Sequence, residues 1–571
     1  MTRRKETIAA LLVVAGAVAL VLIANRGTWF YLDDWDFAWR AADFSDDSIF
    51  NPQNQNWHTT VVLVYRAMLE VFGMSSYVPF RLLEAALVAG LGVLAYLYAR
   101  ERIGPWWALI PVALIVVSPG FEPLLWPFQI GLLMSAVSGL GAILLLDREP
   151  TRAALIGAGA LLVVAVASSS AGVPLVAVAV YDRLLRPGRR LEALVGLPAM
   201  LAYVLWYAEY GAREPKPNQL DAAAFNAAAS RAIDIGDGVV QSLLGLSSQG
   251  AKGSLIGQIG LAVLVVVVCW RIFGPYSQGR GRVIALAGGL VTYWCLLAWG
   301  RALQPGIELS PRYVFLSQVL IVLLLVEVAV GVVVIRWAQP ARVVAAGVVM
   351  VVAGLALIDN VRAELDFGDI LRDNARAMRG QVYGVSLLED DRRAAASVFL
   401  EPLGSQIGRP TAQFFEPLDR FGWPTPSETD VRDLPADGRA RADQAQFAAY
   451  VPPTPSPASN LGGAPPEPIG RAGGEANLTV SGPCLTMRAM EGQSAFLEVR
   501  PPATGMAVVN RGVTPLAVHG RRYAGDWTGP AKVDVAPRTA LPVSLPPDRG
   551  SPGWRIAVAG EAARLCALRG G

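Results

Sequence analysis

Nothing constrains this chain more than the eleven apolar runs that fill its first 358 residues. They cover residues 7–25, 82–99, 106–118, 129–146, 153–168, 172–185, 191–209, 254–270, 283–300, 313–335 and 343–358. A helix needs about 20 apolar residues to cross a hydrocarbon core of about 30 Å. Three of the runs are short and suit re-entrant or tilted segments. The expected membrane domain, residues 1–358, is therefore a polytopic helical body of about eleven transmembrane helices. Composition agrees, with 53% of residues hydrophobic, only 17% charged and a mean hydropathy of +0.41. Soluble globular chains carry about 25% charged residues. The formal net charge of +3 is spread over short loops and forms no basic groove, so nucleic acid is not an expected partner.

Arg3, Arg4 and Lys5 precede the first run, which exceeds a signal-peptide core and lacks a small-residue cleavage site before Asn25-Arg26. It reads as a retained anchor. Alternate short loops hold Arg100 and Arg102, Arg148 and Arg152, Arg183, Arg186, Arg189 and Arg190, Arg271, Arg280 and Arg282, then Arg336 and Arg342. Loops rich in Lys and Arg stay cytoplasmic, which puts these turns and the N-terminus on the cytoplasmic side of the plasma membrane. Eleven crossings then place 26–81, 210–253 and everything after Asp359 outside.

The tail divides again. Residues 359–470 form an extracytoplasmic connecting region, with a helical stretch over Asn360–Arg379 and a Pro-rich linker over Tyr450–Pro468. Residues 471–571 form a small module. Short runs at Ala495–Val499, Met506–Val509 and Trp554–Val558 alternate with Pro and Gly turns, which predicts a β-sandwich. Cys484 and Cys566 bracket that module on the oxidising side and predict a disulfide. Cys269 and Cys295 lie in apolar runs and read as small buried hydrophobes.

Candidate chemistry collects in the outer loops, where binding residues concentrate. Directly after the first span comes Trp29-Phe30-Tyr31-Leu32-Asp33-Asp34-Trp35-Asp36-Phe37-Ala38-Trp39. An interfacial aromatic belt with solvated acids is one reading of it. Against that reading, the like charges of Asp33 and Asp34 repel beside lipid unless a cation or a substrate offsets them. The same loop continues through Asn56-Trp57-His58 into a helical pattern from Val61 to Phe72. His58 fits either a structural or a substrate-binding role. A third outer segment, Phe121-Glu122-Pro123-Leu124-Leu125-Trp126-Pro127-Phe128-Gln129, places a carboxylate, an amide and an indole beside a span. A helix cap and a turn explain its prolines but not Glu122. The fourth is Glu308-Leu309-Ser310-Pro311-Arg312-Tyr313. Arg312 either snorkels to the head groups or holds a phosphate bidentately.

With Asp33-Asp34 in the first outer loop, the His58-containing helix and the late Arg312-Tyr313, this many-spanned chain resembles the GT-C superfamily of integral membrane glycosyltransferases. That superfamily includes protein mannosyltransferases, aminoarabinose transferases and mycobacterial arabinosyltransferases. Asp33-Asp34-Trp35, Asn56-Trp57-His58, Leu125-Trp126-Pro127-Phe128-Gln129-Ile130-Gly131 and the C-terminal module are also similar to those of a group of large actinobacterial membrane proteins. The resemblance implies an inverting transfer of a sugar from a polyprenyl-phosphate donor to an acceptor hydroxyl outside the membrane. The acceptor would be a cell-envelope glycan, lipid or protein. Asp34, with Asp33, would be the catalytic base. Arg312, Tyr313, His58, Glu122, Gln129 and Trp126 would bind substrate and membrane lipid. A divalent cation at Asp33, Asp34 and Asp36 fits some members of the family, and no second matched acidic cluster accompanies them here.

Two other functions fit the same pattern. A transporter or flippase would use the polar break Ser168-Ser169-Ser170-Ala171-Gly172-Val173-Pro174 as part of a substrate path. A non-catalytic envelope assembly protein would use the C-terminal module for binding and the membrane body as scaffold. The topology itself is testable. A reporter fused after Gly571 should behave as extracytoplasmic and one inserted between Arg271 and Arg282 as cytoplasmic, and the same side for both would refute the assignment.

Overall fold

The protein, as a computed structural model, is described over residues 2–147, 150–213, 222–246, 250–274, 279–301, 310–333, 339–388, 415–451, 461–471, 475–490, 493–527, 531–545 and 553–569. It divides into two compact units. One comprises residues 1–27, 40–71 and 77–371, the other 28–39, 72–76 and 372–571. The first sixteen helices are α1 (Thr2–Ala24), α2 (Asp33–Asp43), α3 (Asp46–Phe50), α4 (Thr59–Phe72), α5 (Val78–Ile103), α6 (Leu109–Val116), α7 (Glu122–Leu125), α8 (Ile130–Asp147), α9 (Arg152–Ser168), α10 (Val173–Leu184), α11 (Leu197–Glu209), α12 (Ala222–Leu243), α13 (Gly250–Phe273), α14 (Arg280–Arg301), α15 (Pro311–Val333) and α16 (Gln339–Ser386).

The first unit is a helical bundle. Among the described residues, eight helical segments are long and apolar enough to cross a membrane, as a multi-pass membrane protein requires. They begin at Arg4, Val78, Pro127, Arg190, Leu255, Arg280, Pro311 and Val343. The other three apolar runs form the shorter helices α6, α9 and α10, of 8, 17 and 12 residues. The chain breaks between α9 and α10, where Ser170–Gly172 make one 3-10 turn and Pro174 opens the next helix. Proline is tolerated there because first-turn N–H groups have no helical partner.

Two features depart from expectation. The stretch 210–253 is expected as an outer loop, yet most of its described part is α12, whose alanine-rich sequence favours helix and whose face carrying Ile235 and Val239 is buried. Cys269 and Cys295 are exposed rather than buried. They lie on helix faces with Val265, Val266 and Leu296, and a membrane span meets lipid there, where an apolar thiol is at no disadvantage. The predicted Arg148 and residues 452–460 of the Pro-rich linker lie outside the described residues.

One end of the bundle is tied by charge. Arg282 at the start of α14 pairs with Asp182 of α10 at 2.7 Å and with Asp147 at the end of α8. Arg102 at the end of α5 binds Asp147 at 2.8 Å and Glu327 of α15, which also accepts a 2.6 Å bond from the Tyr98 hydroxyl. Arg183 donates to the Leu146 carbonyl at 2.9 Å and pairs with Asp182, while Arg186 reaches the same carboxylate at 3.0 Å. Arg282, Arg183, Asp182 and Glu327 are all buried. Five helices therefore share one desolvated network, in which each charge is tolerated only because its partners are in place.

The second unit contains the end of α16, then α17 (Glu416–Phe421), α18 (Glu428–Arg432) and α19 (Ala436–Tyr450), and ten strands. A Cβ on Gly380 of α16 would lie 2.1 Å from the Gly438 carbonyl oxygen of α19, so the two helices cross where neither carries a side chain. Buried Asp443 of α19 accepts bonds from the backbone N–H groups of Arg522, Tyr523 and Ala524 and so fixes that loop. The strands are β1 (Glu467–Arg471), β2 (Ala476–Ser481), β3 (Cys484–Ala489), β4 (Ala495–Arg500), β5 (Met506–Asn510), β6 (Leu516–Arg521), β7 (Lys532–Val535), β8 (Ala540–Val543), β9 (Arg555–Gly560) and β10 (Ala562–Ala567). They form two five-stranded antiparallel sheets, ordered β1-β4-β9-β6-β7 and β2-β3-β10-β5-β8. Leu497, Val518 and Val558 of one sheet and Leu485, Val508 and Leu565 of the other share one core. The sheet starts earlier than expected, because β1 lies inside the segment read as connecting region and pairs with β4. Cys484 and Cys566 face each other on β3 and β10 and form the expected disulfide. Its loop spans 82 residues, and such a closure is worth about 4 kcal/mol in the chain-entropy account.

The charge network makes a direct prediction. Arg282→Ala leaves Asp182 and Asp147 short of a partner and should destabilise the detergent-solubilised protein by about 3 kcal/mol or more. Exposed Arg190→Ala should change stability by no more than about 0.5 kcal/mol. Denaturation curves in which the two variants match would show that the network does not hold the bundle.

Candidate functional site

The first unit contains a cavity of about 380 Å³ whose walls come from six segments of the chain. One wall is a tight turn. Gln53 and Asn56 exchange backbone bonds of 3.0 Å in both directions, and Asn54 and Gln55 between them have φ of 50° and 65°. Two consecutive positive φ values make a type I′-like turn, natural for Asn and strained for Gln. The buried Arg40 guanidinium clamps the approach to it, donating to the carbonyls of Asn51 and Pro52 at 2.6 and 3.0 Å and to Gln53 Oε1 at 3.0 Å.

The residues after the turn are held from both sides. Trp57 stacks on Trp206 of α11 with ring centroids 5.4 Å apart, and its backbone N–H donates to Ser170 Oγ at 3.1 Å. His58 Nδ1 lies 2.8 Å from the Ser168 carbonyl oxygen. A carbonyl only accepts, so Nδ1 carries the proton in this contact and Nε2 is the lone-pair nitrogen of the neutral ring. Gly131 makes room for the contact. A Cβ there would come within 2.4 Å of the Ser168 oxygen and 3.1 Å of His58 Nδ1.

Gln129 at the head of α8 and Arg312 with Tyr313 at the head of α15 complete the polar side. Glu122 stands between them. Its Oε2 accepts a 3.0 Å bond from Gln129 Nε2 and lies 3.8 Å from Arg312 Nε. The Arg312 guanidinium also sits over the Tyr313 ring at 5.4 Å. Trp126 packs against Phe128 of the wall with ring centroids 5.1 Å apart. Tyr203, Tyr207 and Tyr293 supply aromatic faces, and none of the described lining residues is a carboxylate.

Four residues singled out from sequence, His58, Gln129, Arg312 and Tyr313, therefore line one cavity, with Glu122 and Trp126 directly behind them. Glu308 and Leu309 of the Arg312 motif lie outside the described residues. The acidic motif belongs to the second unit. Asp33, Asp34 and Asp36 form the first turn of α2, where carboxylates oppose the helix dipole favourably. Asp34 is fully buried and its Oδ2 accepts a 3.1 Å bond from the Tyr31 N–H, while Asp33 is half-exposed. Burial, and then the Asp33 carboxylate, hold the Tyr31 hydroxyl above the ordinary tyrosine range. Trp29, Phe30 and Trp35 pack edge to face around this turn. Among the described residues no three His, Cys, Asp or Glu side chains are grouped to hold a metal ion.

Sequence reasoning missed the tyrosines and Arg40, and it named Gly131 and Ser168 only inside longer motifs, without these roles. The only available signals were the left-handed preference of Asn54 and the small-residue break after α9.

The chain matches no protein-family model and no curated protein sequence. Its function has to be argued from the cavity. Arg312 is the test of what the cavity holds. Arg312→Ala should weaken binding of a polyprenyl phosphate about 10-fold or more, the scale of a lost charged hydrogen bond, and Arg312→Lys should weaken it less. Equal affinity in all three proteins would make Arg312 a snorkelling surface cation.

Proposed function

We infer that the protein transfers a sugar from a polyprenyl-phosphate donor to a hydroxyl acceptor outside the cytoplasmic membrane. The observation that carries this reading is the chemistry of the cavity wall. Tyrosine faces and side-chain amides suit the apolar and hydroxylated surfaces of a sugar, and one guanidinium suits a phosphate. The absence of a carboxylate among the described lining residues favours a neutral sugar with a single anionic group. The cavity lies at the end of the bundle away from the charge network. Arg282 and Gly300 stand 18 residues apart on α14, about 27 Å at 1.5 Å per residue. That span approximates the hydrocarbon thickness. With the arginine-rich end in the cytoplasm, the cavity opens at the outer leaflet, where a lipid-borne phosphate and an aqueous acceptor meet.

On this reading the chain is a GT-C-like transferase with a cytoplasmic N-terminus, and its ten strands form an extracytoplasmic β-sandwich. The sugar and phosphate occupy the cavity, Arg312 stabilises charge as the phosphate departs, and Gln129 and Tyr313 orient the sugar. The acidic turn engages the acceptor, which Asp34, with Asp33, orients or deprotonates. The acceptor is an envelope glycan, lipid or protein.

Purified protein incubated in detergent with radiolabelled polyprenyl-phosphate sugars and octyl glycosides should release polyprenyl phosphate. Asp34→Asn should bind donor as wild type does and transfer about 100-fold more slowly or worse, the scale of losing a group that handles the acceptor proton. Asp33→Asn is measured beside it, because Asp33 is the more exposed of the two. Donor bound but never consumed by the wild type would identify a flippase, and wild-type rates in both variants and the double variant would remove the acidic turn from the chemistry.

A further inference from the structure

We propose that His58, rather than the acidic turn, is the catalytic base, taking the acceptor proton on Nε2. The proposal rests on the glycosyl-transfer reading and deepens it.

Three observations converge on His58. Its ring lines the same cavity as Arg312, so proton removal and departure of the phosphate are handled in one cavity. Its tautomer is set, because Nδ1 is committed to the Ser168 carbonyl at 2.8 Å and the neutral ring carries its lone pair on Nε2. The contact is also built in. The helix α9 ends at Ser168, where a last-turn carbonyl lacks its helical donor, and Gly131 is the residue whose missing side chain lets His58 approach that carbonyl. A backbone carbonyl on Nδ1 also stabilises the imidazolium that forms on proton transfer, the same orienting logic that a carboxylate supplies in hydrolytic triads. Ser168 and Gly131 are thus positioning residues. By contrast, Asp34 is fully buried and accepts the N–H of Tyr31 within its own turn.

The step balances as follows. The acceptor O–H bond breaks and its proton moves to His58 Nε2. The oxygen pair forms the new bond to the anomeric carbon, and the carbon–oxygen bond to phosphate breaks with its electron pair leaving on the phosphate beside Arg312. The imidazolium then gives its proton to solvent. The other titratable or charged groups lining the cavity are Tyr203, Tyr207, Tyr293, Tyr313 and Arg312. Glu122 stands behind Gln129 and Arg312, so it is the loss of the acidic limb in His58→Gln that assigns the limb to His58.

The test is the pH profile of polyprenyl phosphate release by the full-length protein in detergent, with octyl glycoside acceptors. Wild type should lose activity on the acid side. His58→Gln should be at least 100-fold slower with that limb abolished and donor binding retained, whereas Asp34→Asn should be slow with the limb intact. Gly131→Ala, which displaces His58 from Ser168 without removing the ring, should lower the rate at least 10-fold and move the limb. A His58→Gln or His58→Asn protein that binds donor and keeps both the rate and the acidic limb of wild type would overturn the proposal, as would a limb lost in Asp34→Asn alone. Absence of donor consumption by wild type at every pH would instead overturn the transfer reading beneath it.

Discussion

The membrane unit depends on charges that no lipid environment would accept singly. Arg282, Asp182, Asp147, Arg102 and Glu327 come from α14, α10, α8, α5 and α15. Each is tolerable in a low-dielectric interior only when the others are placed. A network of this kind contributes little net stability compared with apolar packing. It does forbid alternative registers, because sliding any one of the helices by a turn would strand a buried charge. Fixing these helices at one end also fixes the far ends of α8, α14 and α15, about 25 Å away. Those other ends carry Gln129, Leu296–Gly300 and the Arg312–Tyr313 pair.

The cavity is thus assembled by rigid rods and finished by irregular backbone. Its helical walls supply aromatic faces, whereas its polar chemistry sits where helices stop: the strained turn at Asn54 and Gln55, the Ser168 carbonyl, the first residues of α8 and α15. Helix ends are where backbone groups lack intrahelical partners and where polar side chains can be held near a membrane without crossing it. Trp57 stacked on Trp206 and Arg40 on the carbonyls of Asn51 and Pro52 keep the turn in place.

Much of this was legible in the sequence, for identifiable reasons. Apolar runs and strand alternation are local signals, so the helices and strands such as β4, β5 and β9 fall where the pattern put them. Cys484 and Cys566 were readable because they bracket the one strand-rich stretch. Polar residues between apolar runs stand out against their background, which is why His58, Gln129 and Arg312 could be named from three separate segments. What could not be read is what depends on three-dimensional partners. Arg102, Arg183, Arg186 and Arg282 look like topology signals in sequence, and only their carboxylates, 45 to 225 residues away for Arg102, reveal them as structural. Tyr203, Tyr207 and Tyr293 look like any interfacial aromatics. A backbone carbonyl such as that of Ser168 has no sequence signature, and Gly131 has meaning only once His58 is seen beside it. The association of residues 28–39 with residues 372–571 likewise leaves no local pattern.

The central claim is that the cavity binds the sugar and phosphate of a lipid-linked donor. Cryo-electron microscopy of the protein with a non-transferable polyprenyl-phosphonate sugar tests it most directly. The account predicts sugar density between Tyr203, Gln129 and His58 with the phosphonate against Arg312. Density for the head group elsewhere, with the cavity unchanged, would contradict it.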